Sequence, residues 1–197
     1  MPEHNPKLAI VILAAGASRR FGSPKQLARW QESSLLQRAI TVASALLDCD
    51  VSVVLGAHVE SIKAQIDLSA INCIHNDAWA SGMASSIRAA VTALCEDYDA
   101  LLFIAADQAG LDAQSLNRLF NAWRRQPGKP ACASFGNEVG IPAIFPRAYY
   151  PELMALEGDR GGKRILLAHD AELVRVNLPE AAIDIDVPAD LENLPSQ

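Results

Sequence analysis

The stretch LAIVILAAGASRRFGSPKQL, residues 8–27, decides the reading of the fold. Its first six residues, Leu8 to Leu13, are apolar without alternation, which is the pattern of a strand covered on both faces. The run ends in small residues and passes into a loop, Gly16 to Lys25, marked by Gly, Ser and Pro and carrying Arg19, Arg20 and Lys25. A buried strand that feeds a glycine-punctuated, cationic loop is a typical start for an α/β domain. In such domains ligands sit outside the carboxyl ends of the strands.

The rest of the chain continues the alternation. Spacing predicts a helix over 34–47, with Leu36, Ala39, Ile40, Ala43 and Leu47 on one face and Ser33 or Ser34 as cap. A strand over 51–56, a short helix over 58–66 and a strand over 71–75 follow. Met83, Ile87, Val91 and Leu94 then line a helix, and 100–106 is a second buried-type strand that ends at Asp107. Asp112 caps the next helix, with Leu111 and Leu116 stapled across the cap and Leu116, Leu119, Phe120 and Trp123 as its stripe. Beyond Pro127, strands are expected at 131–135, 140–145, 172–176 and 182–187, helices at 149–156 and 163–169, and a last short helix from Pro188. Strands separated by helices give an α/β fold with a mostly parallel sheet, and 197 residues suit one domain spanning 1–197.

Composition narrows the function. The net charge of −6 argues against nucleic acid as a partner, because backbone phosphates need a broad basic surface, but a local cluster can still hold a small phosphorylated ligand. The four cysteines are dispersed, with no CxxC pair and no His beside them, so neither a metal site nor a disulfide framework is indicated and buried free thiols are expected. The apolar run at Leu8 is far short of the roughly 18 residues that span a bilayer, and its positive charges follow it. A cytoplasmic protein with no membrane partner is expected.

The first loop suits a polyphosphate. Gly16 and Gly22 let backbone N–H groups approach an oxyanion, Arg20 grips phosphate as a fork and Lys25 acts as a point charge. It is neither a P-loop, since the glycine spacing is wrong and Gln26 follows Lys25, nor the G-x-G-x-x-G fingerprint. An ordinary solvated βα turn has the same composition. Asp107, at a strand end, reads as a Mg²⁺ ligand or as a turn cap. Asp184 and Asp186, at i and i+2 on a strand, would share one face and repel unless a cation or donors lie between them.

Several motifs in order carry a resemblance. Leu13 to Lys25 reads Leu-Ala-Ala-Gly-x-Ser-x-Arg-x-Gly-x-x-Lys and resembles the signature of the molybdenum cofactor nucleotidyltransferases, with the Ala15 of their cytidylyl branch where the guanylyl branch has Gly. Asp107-Gln-Ala stands for the family's Asp-x-Pro, and Asp184 to Asp190 for its Asp-Ile-Asp-Thr-Pro-x-Asp, with Val187 for Thr. Residues 76–87, 140–145 and 158–166 are similar to three further family segments. The resemblance implies a Rossmann-like, three-layer nucleotidyltransferase fold. It implies that Leu13, Ala14, Ala15 and Gly16 wrap the nucleotide, that Arg20 and Lys25 bind its phosphates, and that Asp107 and Asp186 hold Mg²⁺. Gly82 and Ser86 would lie beside the base and ribose, Asp190 would serve a helix terminus, and Arg160 and Lys163 would meet the acceptor's phosphate. The implied reaction transfers CMP from CTP to molybdopterin with release of pyrophosphate, and a recipient molybdoenzyme is an implied partner. A relative using GTP, or a sugar or alditol phosphate, would carry nearly the same loop. A non-catalytic cofactor carrier or insertion chaperone would keep the fold without the chemistry.

Overall fold

The computed structural model describes residues 6–46 and 49–193. Its elements in chain order are β1 (Leu8–Leu13), the short hairpin β2 (Arg29–Trp30) and β3 (Ser33–Ser34), α1 (Leu35–Ser44), β4 (Asp50–Leu55), α2 (Val59–Lys63), β5 (Asn72–His75), α3 (Met83–Leu94), β6 (Ala100–Ala105), α4 (Ala113–Arg124), β7 (Ala131–Phe135), β8 (Glu138–Pro146), α5 (Tyr150–Met154), α6 (Lys163–Ala168) and β9 (Val174–Asn177). Seven strands form one sheet in the order β5-β4-β1-β6-β8-β7-β9. β5, β4, β1 and β6 are parallel, β8 runs antiparallel to β6 and β7, and β9 is parallel to β7.

The unbroken apolar run of β1 is explained by helices on both faces. Leu8, Ile10 and Ile12 point into a core with Leu36 and Ile40 of α1, Ile62 of α2, and Leu116, Leu119 and Trp123 of α4. Ala9 and Val11 point the other way, toward Ile87 and Val91 of α3, Leu153 of α5 and Ile165 of α6. Period-two side chains therefore serve two cores, and both must be apolar. The caps are local. Ser34 accepts the Gln37 N–H at 3.2 Å, and Asp112 accepts the Ser115 N–H at 2.7 Å. Burial raises Asp112, but the N–H and hydroxyl of Ser115 and the charge of Arg118 outweigh it and hold the carboxyl below its usual range.

Three expectations change and one is untested. Residues 182–187 are not a strand: Pro179–Ala182 is a 3₁₀ turn and 183–187 is irregular. The buried Ile185 packs with Leu35 and Ala109, and this single anchor mimics strand alternation. Met83 is 45% exposed rather than on the core face of α3. Of the four free cysteines only Cys132 is buried, which pushes its thiol up to about 11. Leu47, expected to close the first helix, lies outside the described residues.

The topology creates a crevice. From β1 the chain moves through α1 to β4 and β5 on one side, and from β5 it returns through α3 to β6 on the other. The connections leaving β1 and β6 thus diverge at adjacent carboxyl ends, where Leu13 is in register with Ala105. That is the switch point at which open α/β sheets bind ligands.

Candidate active site

A cleft of about 460 Å³ opens at this switch point, within the range of small-molecule sites. Its lining includes Leu13 to Arg20 from the first loop, Lys25, Trp79, Gly82, Met83 and Ser86 from the β5–α3 segment, Asp107 from the end of β6, and Asp159 and Asp186. Every residue expected to contact nucleotide or metal therefore lies on one cleft. No helix among the described residues is long and apolar enough to cross a membrane.

The loop after β1 is polarised. Of the five carbonyls from Ala14 to Ser18, four accept N–H donors and the fifth, Ala17, faces a histidine ring nitrogen. Gln26 Nε2 donates to Ala14 and Gly16 at 2.8 Å each, the Ala57 N–H to Ala15 at 3.0 Å, His58 Nε2 lies 3.2 Å from the Ala17 oxygen, and the Phe21 and Gly22 N–H groups donate to Ser18. The N–H groups of Ala15 to Arg19 have no acceptor among the described residues. Acceptors used and donors unmet are the requirement of an anion-binding nest.

The charged side chains form a closed network. Lys25 Nζ lies 2.5 Å from Asp107 Oδ2 and 3.6 Å from Asp186 Oδ1, and Arg20 Nη1 donates to Asp186 Oδ2 at 2.7 Å. Asp107 and Asp186 thus converge on one ammonium, as a shared cation site requires. Asp186 is held in place by its neighbours. The Ile185 N–H donates to the Asp107 carbonyl at 3.1 Å, and Asp190 Oδ2 accepts the N–H groups of Asp186 and Val187 at 2.7 and 2.9 Å. Asp190, expected at a helix terminus, lies in the first turn of a 3₁₀ helix and also ties back the turn that carries Asp186. Those two N–H groups hold its carboxyl low. Protein mass around Asp184, together with the charges of Asp107 and Asp186, pushes the Asp184 carboxyl up to about 6, although one side of the residue is open to solvent. Arg19 lines the cleft with no carboxylate partner among the described residues.

The far wall is closely packed. Gly82 (φ +104°) sits so close to the 157–162 turn that a Cβ there would lie 2.4 Å from the Gly158 carbonyl oxygen. At the start of α3 the Ala84 N–H donates to the Gly158 carbonyl at 3.0 Å, and the buried Ser86 hydroxyl accepts from Asn76 at 3.0 Å. Lys163 is paired with Glu138 at 2.5 Å, and neither it nor Arg160 lines the cleft, where Asp159 stands instead.

Sequence reasoning passed over Gln26, Gln108 and Gly56. Gln108 is buried and pins the β6 end by donating to the Ile141 and Ala181 carbonyls at 2.9 and 3.0 Å and accepting the Ala105 N–H. A Cβ on Gly56 would meet Trp79 Cβ at 2.6 Å and Ala15 Cβ at 3.0 Å, so Gly56 is where the Trp79 side chain is seated. The one available signal was a buried-type polar residue beside each charged one, in Lys25-Gln26 and Asp107-Gln108.

Residues 10–173 match the MobA-like NTP transferase domain. The chain belongs to that family. As a MobA-like NTP transferase it is an enzyme of the nucleotidyltransferase class. It is 28% identical over 177 residues to nicotine blue oxidoreductase of Paenarthrobacter nicotinovorans, covering 86% of this chain and 85% of that one. It is 26% identical over 183 residues to molybdenum cofactor cytidylyltransferase of Escherichia coli, covering 91% of each. Among solved structures, the homologue of Mycobacterium tuberculosis Rv0371c from Mycobacterium sp. strain JC1 superposes with a TM-score of 0.82 at 24% identity, over 94% of this chain and 93% of that one, which shows the shared fold.

Proposed function

We propose that this MobA-like NTP transferase moves CMP from CTP to the terminal phosphate of molybdopterin, releasing pyrophosphate, and that residues 1–197 form one nucleotidyltransferase domain working in the cytoplasm. The observation that carries the reading is the polarised loop: five consecutive N–H groups without acceptors among the described residues, on a cleft that also holds Lys25, Arg20, Asp107 and Asp186. The 26% relative named as a cytidylyltransferase and the Ala at position 15 support CTP.

The chemistry follows from charge. The acceptor phosphate is already an anion, so attack on the α-phosphorus needs no strong base. The barrier lies in bringing two anions together and in the charge that develops on the leaving pyrophosphate, so positioning and electrostatic stabilisation are the protein's work. The N–H groups of Ala15 to Arg19 hold β- and γ-phosphate oxygens, Arg20 adds a fork, and Lys25 meets the charge on the leaving group. Gly82 and Ser86 border the nucleoside. The carboxylates fit a divalent cation, because two of them already converge on one positive nitrogen. Mg²⁺ held by Asp107 and Asp186 would neutralise phosphate charge and polarise the reacting phosphoryl group.

Ala15 is 4% exposed and packs beside Gly56 and Trp79, so its methyl acts on the base pocket mainly by setting the Trp79 wall. Discrimination by one methyl amounts to about 1–3 kcal/mol.

The test is pyrophosphate release from CTP, GTP, UTP and ATP with molybdopterin, with Mg²⁺ and with EDTA. Release with CTP alone, abolished by EDTA, supports the reading. Release with GTP alone keeps the mechanism and overturns the base assignment. No release with any nucleotide, from folded protein that still binds one, overturns CMP transfer to molybdopterin in favour of a carrier or of a different acceptor. The relative named as nicotine blue oxidoreductase favours a second reading, in which the same cleft serves a redox reaction in place of phosphoryl transfer. Turnover of a redox dye with an added two-electron donor, with no pyrophosphate release, would establish it.

A further inference from the structure

We infer that Gln26, assisted by His58, is the positioning residue that turns the first loop's N–H groups toward the triphosphate, an inference that rests on the nucleotide reading above. Gln26 is 5% exposed, and its polar atoms all face the loop. Both hydrogens of its amide are used, one on the Ala14 carbonyl and one on the Gly16 carbonyl, each at 2.8 Å. Its Oε1 accepts the Ser18 hydroxyl at 3.3 Å, and the Ser18 oxygen accepts the Lys25 N–H at 3.1 Å. One side chain therefore links the start of the loop, its middle and the residue that bears the ammonium.

The geometry of a trans peptide supplies the consequence. The C=O and the N–H of one peptide unit point in opposite directions, so fixing a carbonyl fixes the next residue's N–H on the other side. Holding the Ala14 and Gly16 oxygens orients the N–H groups of Ala15 and Ala17. The Ala57 N–H does the same for Gly16, and the N–H groups of Phe21 and Gly22 for Arg19. The Ser18 N–H depends on His58, whose Nε2 lies 3.2 Å from the Ala17 carbonyl oxygen and donates to it when protonated at that nitrogen. His58 has φ +61°, a left-handed conformation that aims the ring back over the loop instead of along α2. Without these ties the carbonyls can rotate into the cleft, and a polyanion would then meet negative rather than positive ends of the peptide dipoles. Gln26 thus needs no contact with the nucleotide to set its affinity.

Two variants test the inference, with inorganic tripolyphosphate and CMP as probes in titration calorimetry. Gln26→Met keeps the volume and removes both donations. Tripolyphosphate affinity is expected to fall on the order of 10- to 100-fold, the effect of two lost hydrogen bonds, while CMP affinity stays within about twofold. His58→Asn keeps a residue tolerant of positive φ but loses the reach to Ala17, and is expected to weaken tripolyphosphate about 3- to 10-fold, as one lost bond should. A role in stability alone would reduce both probes in proportion to the unfolded fraction, which the His58 variant, altered only at a surface ring, avoids. Tripolyphosphate affinity unchanged in both variants, with binding intact in the parent, overturns this inference and leaves the nucleotide reading standing. Parent protein that binds neither tripolyphosphate nor CTP overturns both.

Discussion

Replacing Lys25 by alanine separates charge balance from catalysis. The ammonium lies 2.5 Å from Asp107 and 3.6 Å from Asp186, and the Lys25 side chain is only 15% exposed. At an effective dielectric of about 20 these contacts carry Coulomb energies of about 7 and 5 kcal/mol, against about 1–2 kcal/mol in water. Most of that energy offsets the desolvation of the charges, so the net cost of removing one partner from this half-open pair is about 1–3 kcal/mol. For a chain of this size each 1 kcal/mol lowers Tm by about 2–4 °C. Turnover should fall further, by about two to three powers of ten, the scale for one donor removed at a developing charge. Adding Asp107→Asn to Lys25→Ala removes the stranded carboxylate and should recover most of the lost Tm while leaving turnover at the level of the single variant or below. The assays are thermal denaturation and steady-state pyrophosphate release, run on the parent, both single variants and the double. Turnover of Lys25→Ala within a factor of a few of the parent would refute the leaving-group role. Turnover that recovers together with Tm in the double variant would show that Lys25 serves stability alone.

Gly82→Ala should destabilise by about 2–4 kcal/mol, read by denaturant titration, because the new Cβ meets the Gly158 carbonyl at 2.4 Å in a left-handed backbone. Gly56→Ala should displace Trp79, weaken CTP and alter the CTP-to-GTP preference, read as the ratio of kcat/KM values, because the Cβ would stand 2.6 Å from Trp79 Cβ. Asp112→Ala should cost about 1 kcal/mol through the lost cap on α4. Since the folded Asp112 carboxyl is held below its ordinary value, its contribution is complete above about pH 4 and fades as pH falls through the lower folded value. The stability difference between parent and Asp112→Ala should therefore shrink in acid, and a difference constant from neutral pH to pH 3 would refute the assignment.

The strands and caps were legible because each leaves a local trace. A strand between two helical layers must be apolar at every position, as Leu8 to Leu13 is, and an Asp before an amphipathic stripe declares a cap, as Asp112 does. Asp186 was legible as a residue of the cleft but not as part of an irregular turn. Ile185 is buried because one irregular turn plugs into the patch of Leu35 and Ala109, and a lone buried residue between two acids reads like strand alternation. Met83 fits the helical spacing of α3 yet sits at its first residue, where the helix leaves the sheet and borders the cleft. Gln26, His58 and Gly56 left no periodic trace, because their contacts run to the backbone or to a residue distant in sequence.

The cleft also resolves an apparent conflict between composition and ligand. A chain of net charge −6 is a poor attractor of a polyanion, and its two motif cations are already paired with carboxylates, Arg20 with Asp186 and Lys25 with Asp107. The positive potential at the loop therefore has to come in good part from groups that carry no formal charge. Peptide dipoles supply it, provided their negative ends are turned away and held. Here the carbonyls of Ala14, Ala15, Gly16 and Ser18 are held, two of them by one buried amide, and that of Ala17 is held when His58 Nε2 carries its proton. Such dipoles are fixed by folding and do not reorganise when charge moves, which is the condition under which electrostatic stabilisation of a leaving group is strongest. The paired side chains add a second layer, since Lys25 and Arg20 are kept at the cleft by the same carboxylates that suit a divalent cation. On the proposed reaction the labour divides: the loop backbone would hold the polyphosphate, and the Lys25–Asp107–Asp186 network would act on the charge that develops as pyrophosphate departs.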